Sequence, residues 1–436
     1  MIAAHWTGAY TLPAHAAPVA ISVDLHGRQA TVALGPGHSG PTVVPVVVRG
    51  RHVRFVFPGS PSGVVFDGIA GPDRLSGVVR QGGLRGRFSL RHGVSRLLSL
   101  LGVYRAAAGS GAAVVDVAGY GPWLIELPSG VTHGIGPSLT VGQRLGDPAG
   151  DGRIVPGDDG FTWNGVHYRR LRVRQREVRV GVDAATLTLP PGAGPFPAVA
   201  MVHGSGPATR EEFQAFAAYL ELEGVAVLAD DKRGVGQSTG VYPGELASPQ
   251  TIDVLAHDAQ TEARYLAALS GIDRRRVGLF GDSQAGWIIP LAASREPDVR
   301  FAVAVVGPTV TVGESDLWAS LAGQEQSPPS GSRTSMLDEV RRSGPSGFDP
   351  APFLRKLTIP AHWVLGSDDR NVPTELCVER LRALAAGHDF TWTVLPMTHT
   401  PLELPTGLLA SLPRSHGFVA GFFPDLGAWL DAHGIS

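Results

Sequence analysis

The chain has 436 residues, a formal net charge of −2 and one cysteine alongside 57 glycines and 35 prolines. That length exceeds one ordinary domain and implies two or three. The near-neutral balance gives no electrostatic reason to expect nucleic acid or an anionic membrane as partner, and the lone Cys377 excludes an internal disulfide or a multi-cysteine metal site.

In chain order, "MIAAHWTGAYTLPAH" has neither a basic n-region nor a long apolar h-region, so no secretory signal is expected. No apolar run approaches the roughly 18 residues of a membrane span, so the expectation is a cytoplasmic soluble protein. Seven short β-favouring runs then follow between Gly/Pro turns: "VAISVDL", "ATVAL", "TVVPVVV", "HVRFVF", "GVVFDGIA", "RLSGVVR" and "LRGRFSLR". Their spacing predicts a small sandwich or barrel over residues 1–95. "VSRLLSLLG" (94–102) reads as a short helix or connector, and a second β-rich segment or connector covers 96–170. Within it, the turn-rich "GDPAGDGRIVPGDDG" (146–160) reads as an exposed loop.

From residue 171 to 436 the rhythm becomes strand–helix alternation. An antiparallel hairpin, "LRVRQREVRVGVDAATLTLP", opens this part, its alternating arginines on a solvated face. Strands are predicted in "PAVAMVHGSG", "VAVLADDKRG", "RVGLFGDSQAG", "RFAVAVVGP", "AHWVLGSDD" and "FTWTVLPMTH", with helices between. Such alternation predicts an α/β fold, a mostly parallel sheet with helices on both faces, whose functional groups collect at the carboxyl ends of its strands. Residues 307–355 lie where a cap-like insertion would sit.

Ser283 stands in "GDSQAG", directly after a strand and before a helix. In a chain this rich in glycine such a match arises about once by chance, so its surroundings carry the weight. A nucleophile on a sharp strand-to-helix turn needs small neighbours, which Gly281, Ala285 and Gly286 supply. The Gln284 N–H would then face a developing oxyanion, and the loop "HGSG" (203–206) offers a second donor at Ser205. His203 is read as shaping that loop rather than as a general base. Asp368 and Asp369 both qualify by position as the acid, and chemistry alone does not separate them. His399 follows the last apolar strand and is the expected base; His416, at the start of a terminal helix, is the weaker candidate. Cys377 sits in a helical pattern and is expected to be a buried thiol.

From about 178 onward the sequence resembles the α/β-hydrolase superfamily, specifically bacterial serine esterases with a β-rich N-terminal extension. "FPAVAMVHGSGPATR", "DDKRGVGQSTG", "GDSQAGWIIPLAA", "FDPAPFLRKLTIPAHWVLGSDDRNVP" and "LPMTH" carry the likeness. Ala285 departs from the glycine of the fullest nucleophile pattern and is read as a tolerated small variant. The resemblance selects Asp369, counted from Gly366 with Val372 and Pro373 in register. It implies ester cleavage by Ser283, His399 and Asp369 through an acyl-enzyme, with Gln284 and Ser205 as oxyanion donors and no metal or organic cofactor. "DDKRGVGQSTG" would shape the rim of the site through turns and local ion pairs. Thioesterase, acyltransferase, peptidase and biosynthetic cyclase or lyase chemistry remain alternatives on the same scaffold, as does a binding protein. The expected partner is a small acyl substrate, and a homodimer is compatible with the sequence.

Overall fold

The computed structural model describes residues 5–13, 19–26, 28–34, 42–58, 63–72, 74–92, 98–107, 110–117, 121–135, 139–142, 152–324, 327–402 and 417–436. Two compact units divide the chain: Met1–Leu101 with Val114–Trp123 and Ile135–Thr140, and Gly102–Ala113 with Leu124–Gly134 and Val141–Ser436. The β-rich segment expected over 96–170 is thus split between them.

In the first unit, β1 (His5–Thr11), β2 (Val19–His26), β3 (Gln29–Leu34), β4 (Thr42–Arg49), β5 (His52–Phe57), β6 (Val64–Ala70), β7 (Arg74–Gln81) and β8 (Leu84–His92) form a closed antiparallel barrel in simple meander order. Period-two alternation drives it, because one face of each strand must leave water: in β5, Val53, Phe55 and Phe57 are buried while their neighbours are not. The interior is filled by aromatic packing, with the Phe66 ring 4.8 Å from Phe55, 5.3 Å from Tyr10 and 5.4 Å from Phe88. Sequence reading found β2 to β8 and missed β1, the strand that pairs with β8 and closes the barrel. Gly8 in "HWTGAYT" hid it: a Cβ there would lie 2.2 Å from Ser89 O, so glycine is what permits the close pairing.

The second unit begins with short strands, three of which are cut by the division between the units. These are β9 (Gly102–Arg105), β10 (Gly111–Val117), β11 (Gly121–Leu127), β12 (Thr132–Gly134), β13 (Thr140–Val141), β14 (Gly152–Arg153), β15 (Val155–Gly157), β16 (Gly160–Trp163) and β17 (Val166–Arg170). β15, β16, β17 and β9 pair antiparallel in that order. Part of the loop expected over 146–160 is therefore strand, because Val155–Gly157 pairs with Gly160–Thr162 across a tight turn.

Its main sheet contains β18 (Arg174–Val180), β19 (Asp183–Leu189), β20 (Phe196–Val202), β21 (Ala226–Asp230), β22 (Ile272–Asp282), β23 (Phe301–Val305), β24 (Ala361–Gly366) and β25 (Phe390–Leu395). The order is β18-β19-β21-β20-β22-β23-β24-β25, antiparallel at the β18 and β19 end and parallel beyond. The connecting helices are α1 (Gln214–Leu222), α2 (Pro249–Ala267), α3 (Ala285–Arg295), α4 (Val312–Ala322), α5 (Arg333–Ser343), α6 (Ala351–Leu354), α7 (Thr374–Leu384) and α8 (Phe422–Ala432).

Alternate residues of each strand serve opposite faces. Leu279, Ala302 and Trp363 join the core built with Ile252 of α2, Ile288 of α3 and Leu381 of α7. Their neighbours Phe280, Phe301 and His362 turn the other way, with ring contacts to Phe216 of α1 at 5.3 Å and to Trp429 of α8 at 6.2 and 5.5 Å. Such two-sided burial is why these strands read as nearly continuous apolar runs. The cap-like region between β23 and β24 holds α4, α5 and α6. No helix among the described residues is long and apolar enough to cross a membrane.

Candidate active site

At the centre of the parallel sheet, β22 ends on Asp282 and the chain turns sharply into α3. Ser283 occupies the turn at φ +51°, a left-handed conformation that costs a non-glycine residue about 1 kcal/mol or more. Its N–H still donates to Val305 O at 2.9 Å, and its carbonyl accepts the Gly286 N–H at 2.9 Å. A Cβ on Gly281 would lie 2.3 Å from Val202 O and 2.6 Å from the Ala285 Cβ, and one on Gly286 would lie 2.5 Å from Gly307 C. Small residues are thus demanded at 281, 285 and 286 by packing alone. Val306, next along from the β23 end, is also left-handed at φ +45°, so a second strained residue lies at the neighbouring strand end.

Ser283 Oγ lies 2.8 Å from His399 Nε2, and His399 Nδ1 lies 2.9 Å from Asp369 Oδ2. Asp369 is buried, and its other oxygen accepts the N–H groups of Asn371 at 2.7 Å and Val372 at 2.9 Å. The carboxylate is thereby fixed from the backbone, while the Trp318 indole N–H caps the Asp369 carbonyl at 3.2 Å. Asp368 is exposed, and its carboxylate accepts from the neighbouring Ser367 hydroxyl at 3.3 Å. The order serine, imidazole, carboxylate can pass the serine proton to histidine while the acid holds the tautomer. His416 lies outside the described residues.

Beside this chain of contacts runs the 203–206 loop after β20. A Cβ on Gly204 would sit 3.3 Å from the Ser283 Cβ, so the loop abuts Ser283. The Gly204 N–H bonds to the Asp282 carboxylate, which burial pushes above the usual range against the pull of His203, His399 and that N–H. Ser205 is exposed, whereas Gln284 is buried. His203 is buried, its Nε2 lying 2.8 Å from Asp230 O, and its place is structural to the loop rather than in contact with Ser283.

The "DDKRG" turn after β21 forms ion pairs with partners distant in the chain rather than local ones, Asp231 with Arg210 at 2.9 Å and Arg233 with Asp258 at 2.5 Å. Sequence reading missed the residue between them. Lys232 is turned inward and buried, its Nζ 2.7 Å from Gly204 O, 3.2 Å from Gly206 O and 3.4 Å from Gln284 Oε1. Burial lowers its ammonium to about 8, despite the nearby acids Asp230, Glu212, Asp282 and Glu245. Cys377 is buried in α7, its thiol pushed up to about 11 by burial.

Among the described residues, Asp183, Asp230 and Glu262 each place a carboxylate oxygen within 4.8 Å of the others. They line a small pocket of about 20 Å³, room for roughly one water. Burial, with the charges of Asp258 and Asp230, raises Asp183 to about 8, and burial raises Glu262 well above the usual carboxylate range. Asp183 and Glu262 are thereby both biased toward their neutral, protonated forms.

A protein-family model described as "Serine aminopeptidase, S33" matches residues 194–329. No curated protein matches the chain. Among solved structures, an esterase from Pyrococcus furiosus is 16% identical over 60% of this chain and 93% of its own, with a TM-score of 0.42. A putative dienelactone hydrolase from Klebsiella pneumoniae is 22% identical over 52% of this chain and 88% of its own, with a TM-score of 0.38. Acetyl xylan esterase 1 from a Thermoanaerobacterium species is 18% identical over 53% of this chain and 83% of its own, with a TM-score of 0.34.

Proposed function

From the premise that this chain is a member of the α/β-hydrolase superfamily with a β-rich N-terminal region, we propose that it hydrolyses carboxylic esters through an acyl-enzyme on Ser283. The observation that carries the reading is the unbroken sequence of contacts from Ser283 Oγ through His399 to Asp369, at 2.8 and 2.9 Å.

In this reading His399 Nε2 takes the Ser283 proton as Oγ attacks the acyl carbon. The resulting oxyanion is held by the N–H groups of Gln284 and Ser205, and the imidazolium by Asp369. Collapse of the tetrahedral intermediate breaks the ester C–O bond, and His399 returns its proton to the departing alkoxide. Water, deprotonated by His399, then attacks the acyl-enzyme. A second collapse releases the carboxylic acid and restores the Ser283 hydroxyl.

The description of the matched family model favours peptide hydrolysis as a second reading, since the same acyl-enzyme serves both bonds. Turnover of p-nitrophenyl esters against aminoacyl p-nitroanilides separates them. Ester turnover that disappears in Ser283→Ala supports the first reading; anilide turnover with inert esters replaces it with the second. Loss of neither activity in the variant removes Ser283 from the chemistry.

A further inference from the structure

Lys232 is a buried charged group beside Ser283 and Gln284 for which the mechanism above has no task. Taking an ammonium out of water is costly unless acceptors surround it, and here they come from two places. Gly204 O and Gly206 O belong to the loop after β20, and Gln284 Oε1 belongs to the residue that follows Ser283. One cation thus bridges the two backbone stretches that the hydrolase reading uses as oxyanion donors. The Tyr242 ring, 5.7 Å from Nζ, completes the surround.

Peptide geometry converts this grip into direction. The unit between Gly204 and Ser205 is planar and trans, so its C=O and N–H point opposite ways. An ammonium 2.7 Å from Gly204 O therefore holds the Ser205 N–H facing away from Lys232. On the other side of the same residue, the Gly204 N–H is bonded to Asp282, the neighbour of the nucleophile. With glycine at 204 and 206, the loop's own side chains supply little stiffness.

We infer that Lys232 is a positioning residue that sets the direction of the Ser205 N–H and seats Gln284, keeping both oxyanion donors in register with Ser283. The inference rests on the hydrolase reading. It concerns the donors, so its effect falls on the transition state and not on substrate affinity.

The test compares wild type, Lys232→Met and Lys232→Arg on p-nitrophenyl acetate, with inhibition by a phenylboronic acid as a tetrahedral mimic and a melting curve for each protein. Lys232→Met is expected to lose about 100-fold in kcat, the scale of one lost oxyanion donor. KM should stay within about twofold, while boronate affinity falls in parallel with kcat. Lys232→Arg keeps the charge but not the compact point contact and is expected to lose about tenfold, with a wild-type melting curve. Should the Met variant not fold, the Arg variant decides alone by the same split between kcat and KM. Either folded variant with wild-type kcat and boronate affinity overturns the inference, as does a loss confined to KM. A wild type that turns over no ester removes the hydrolase reading itself, and this inference with it.

Discussion

Asp369 Oδ2 meets His399 Nδ1 at 2.9 Å, while Asp368, one residue earlier in the same loop, is exposed. Two adjacent acids that chemistry could not separate are parted by a single reversal of side-chain direction. Asp369→Asn is expected to lower kcat by about 10³- to 10⁴-fold, because the amide cannot hold the productive tautomer. Asp368→Asn should stay within about threefold. Steady-state kinetics of the two variants checks this, and equal effects would contradict the assignment.

Ser283 is held in the left-handed region at φ +51°, where glycine is unstrained. Ser283→Gly is therefore expected to abolish activity yet melt no earlier than wild type. Its relief of about 1 kcal/mol offsets the greater freedom of glycine in the unfolded chain. A melting temperature well below wild type would show that the turn is not strained as described.

Activity should fall on the alkaline side as Lys232 loses its proton, since burial lowers that ammonium to about 8. The acids facing it are Asp230, Glu212, Asp282 and Glu245, with His203 and Arg233 lining the adjoining cavity. Below about 8 Lys232 carries its charge and three donors, one for each of Gly204 O, Gly206 O and Gln284 Oε1; above it the charge and one of those donors are lost, and the grip on the loop weakens. A kcat profile with its alkaline limb near this value, moved upward in Lys232→Arg, is the expected result. A limb unmoved by that substitution would assign it to another group.

Asp183 carries a pH signature of stability. Its carboxyl is near 4 in an unfolded chain and about 8 in the fold, raised by burial and by Asp258 and Asp230. The folded state therefore binds more protons than the unfolded state between those values, and the stability this group contributes is lost as pH rises toward 8. Asp183→Asn should show a shallower decline in urea midpoint from pH 4.5 to 8 than wild type, on the order of one group's proton uptake. Parallel curves would show that Asp183 does not titrate in this window.

Much of the α/β fold and of the candidate site was legible in the sequence because its signals are local. Buried strands such as "VAMVH" and "VGLFG" read as apolar runs, and each ends on polar residues. Burial and small-residue demands at Gly281, Ala285 and Gly286 left their mark in "GDSQAG" itself. What escaped was direction and closure. "DDKRG" displays four charges, yet nothing local says that Asp231 and Arg233 find ion pairs while Lys232 turns inward to the Gly204 and Gly206 carbonyls. Likewise β1 closes the barrel by pairing with β8, more than 70 residues downstream, and its Gly8 weakens the local strand signal it needed.

Reaction of the protein with a fluorophosphonate, read by intact mass and peptide mapping, tests the central claim most directly. The account predicts one adduct per wild-type chain, located on Ser283, and none on Ser283→Ala. A folded wild type that takes up no label, or an alanine variant that labels fully, would contradict it.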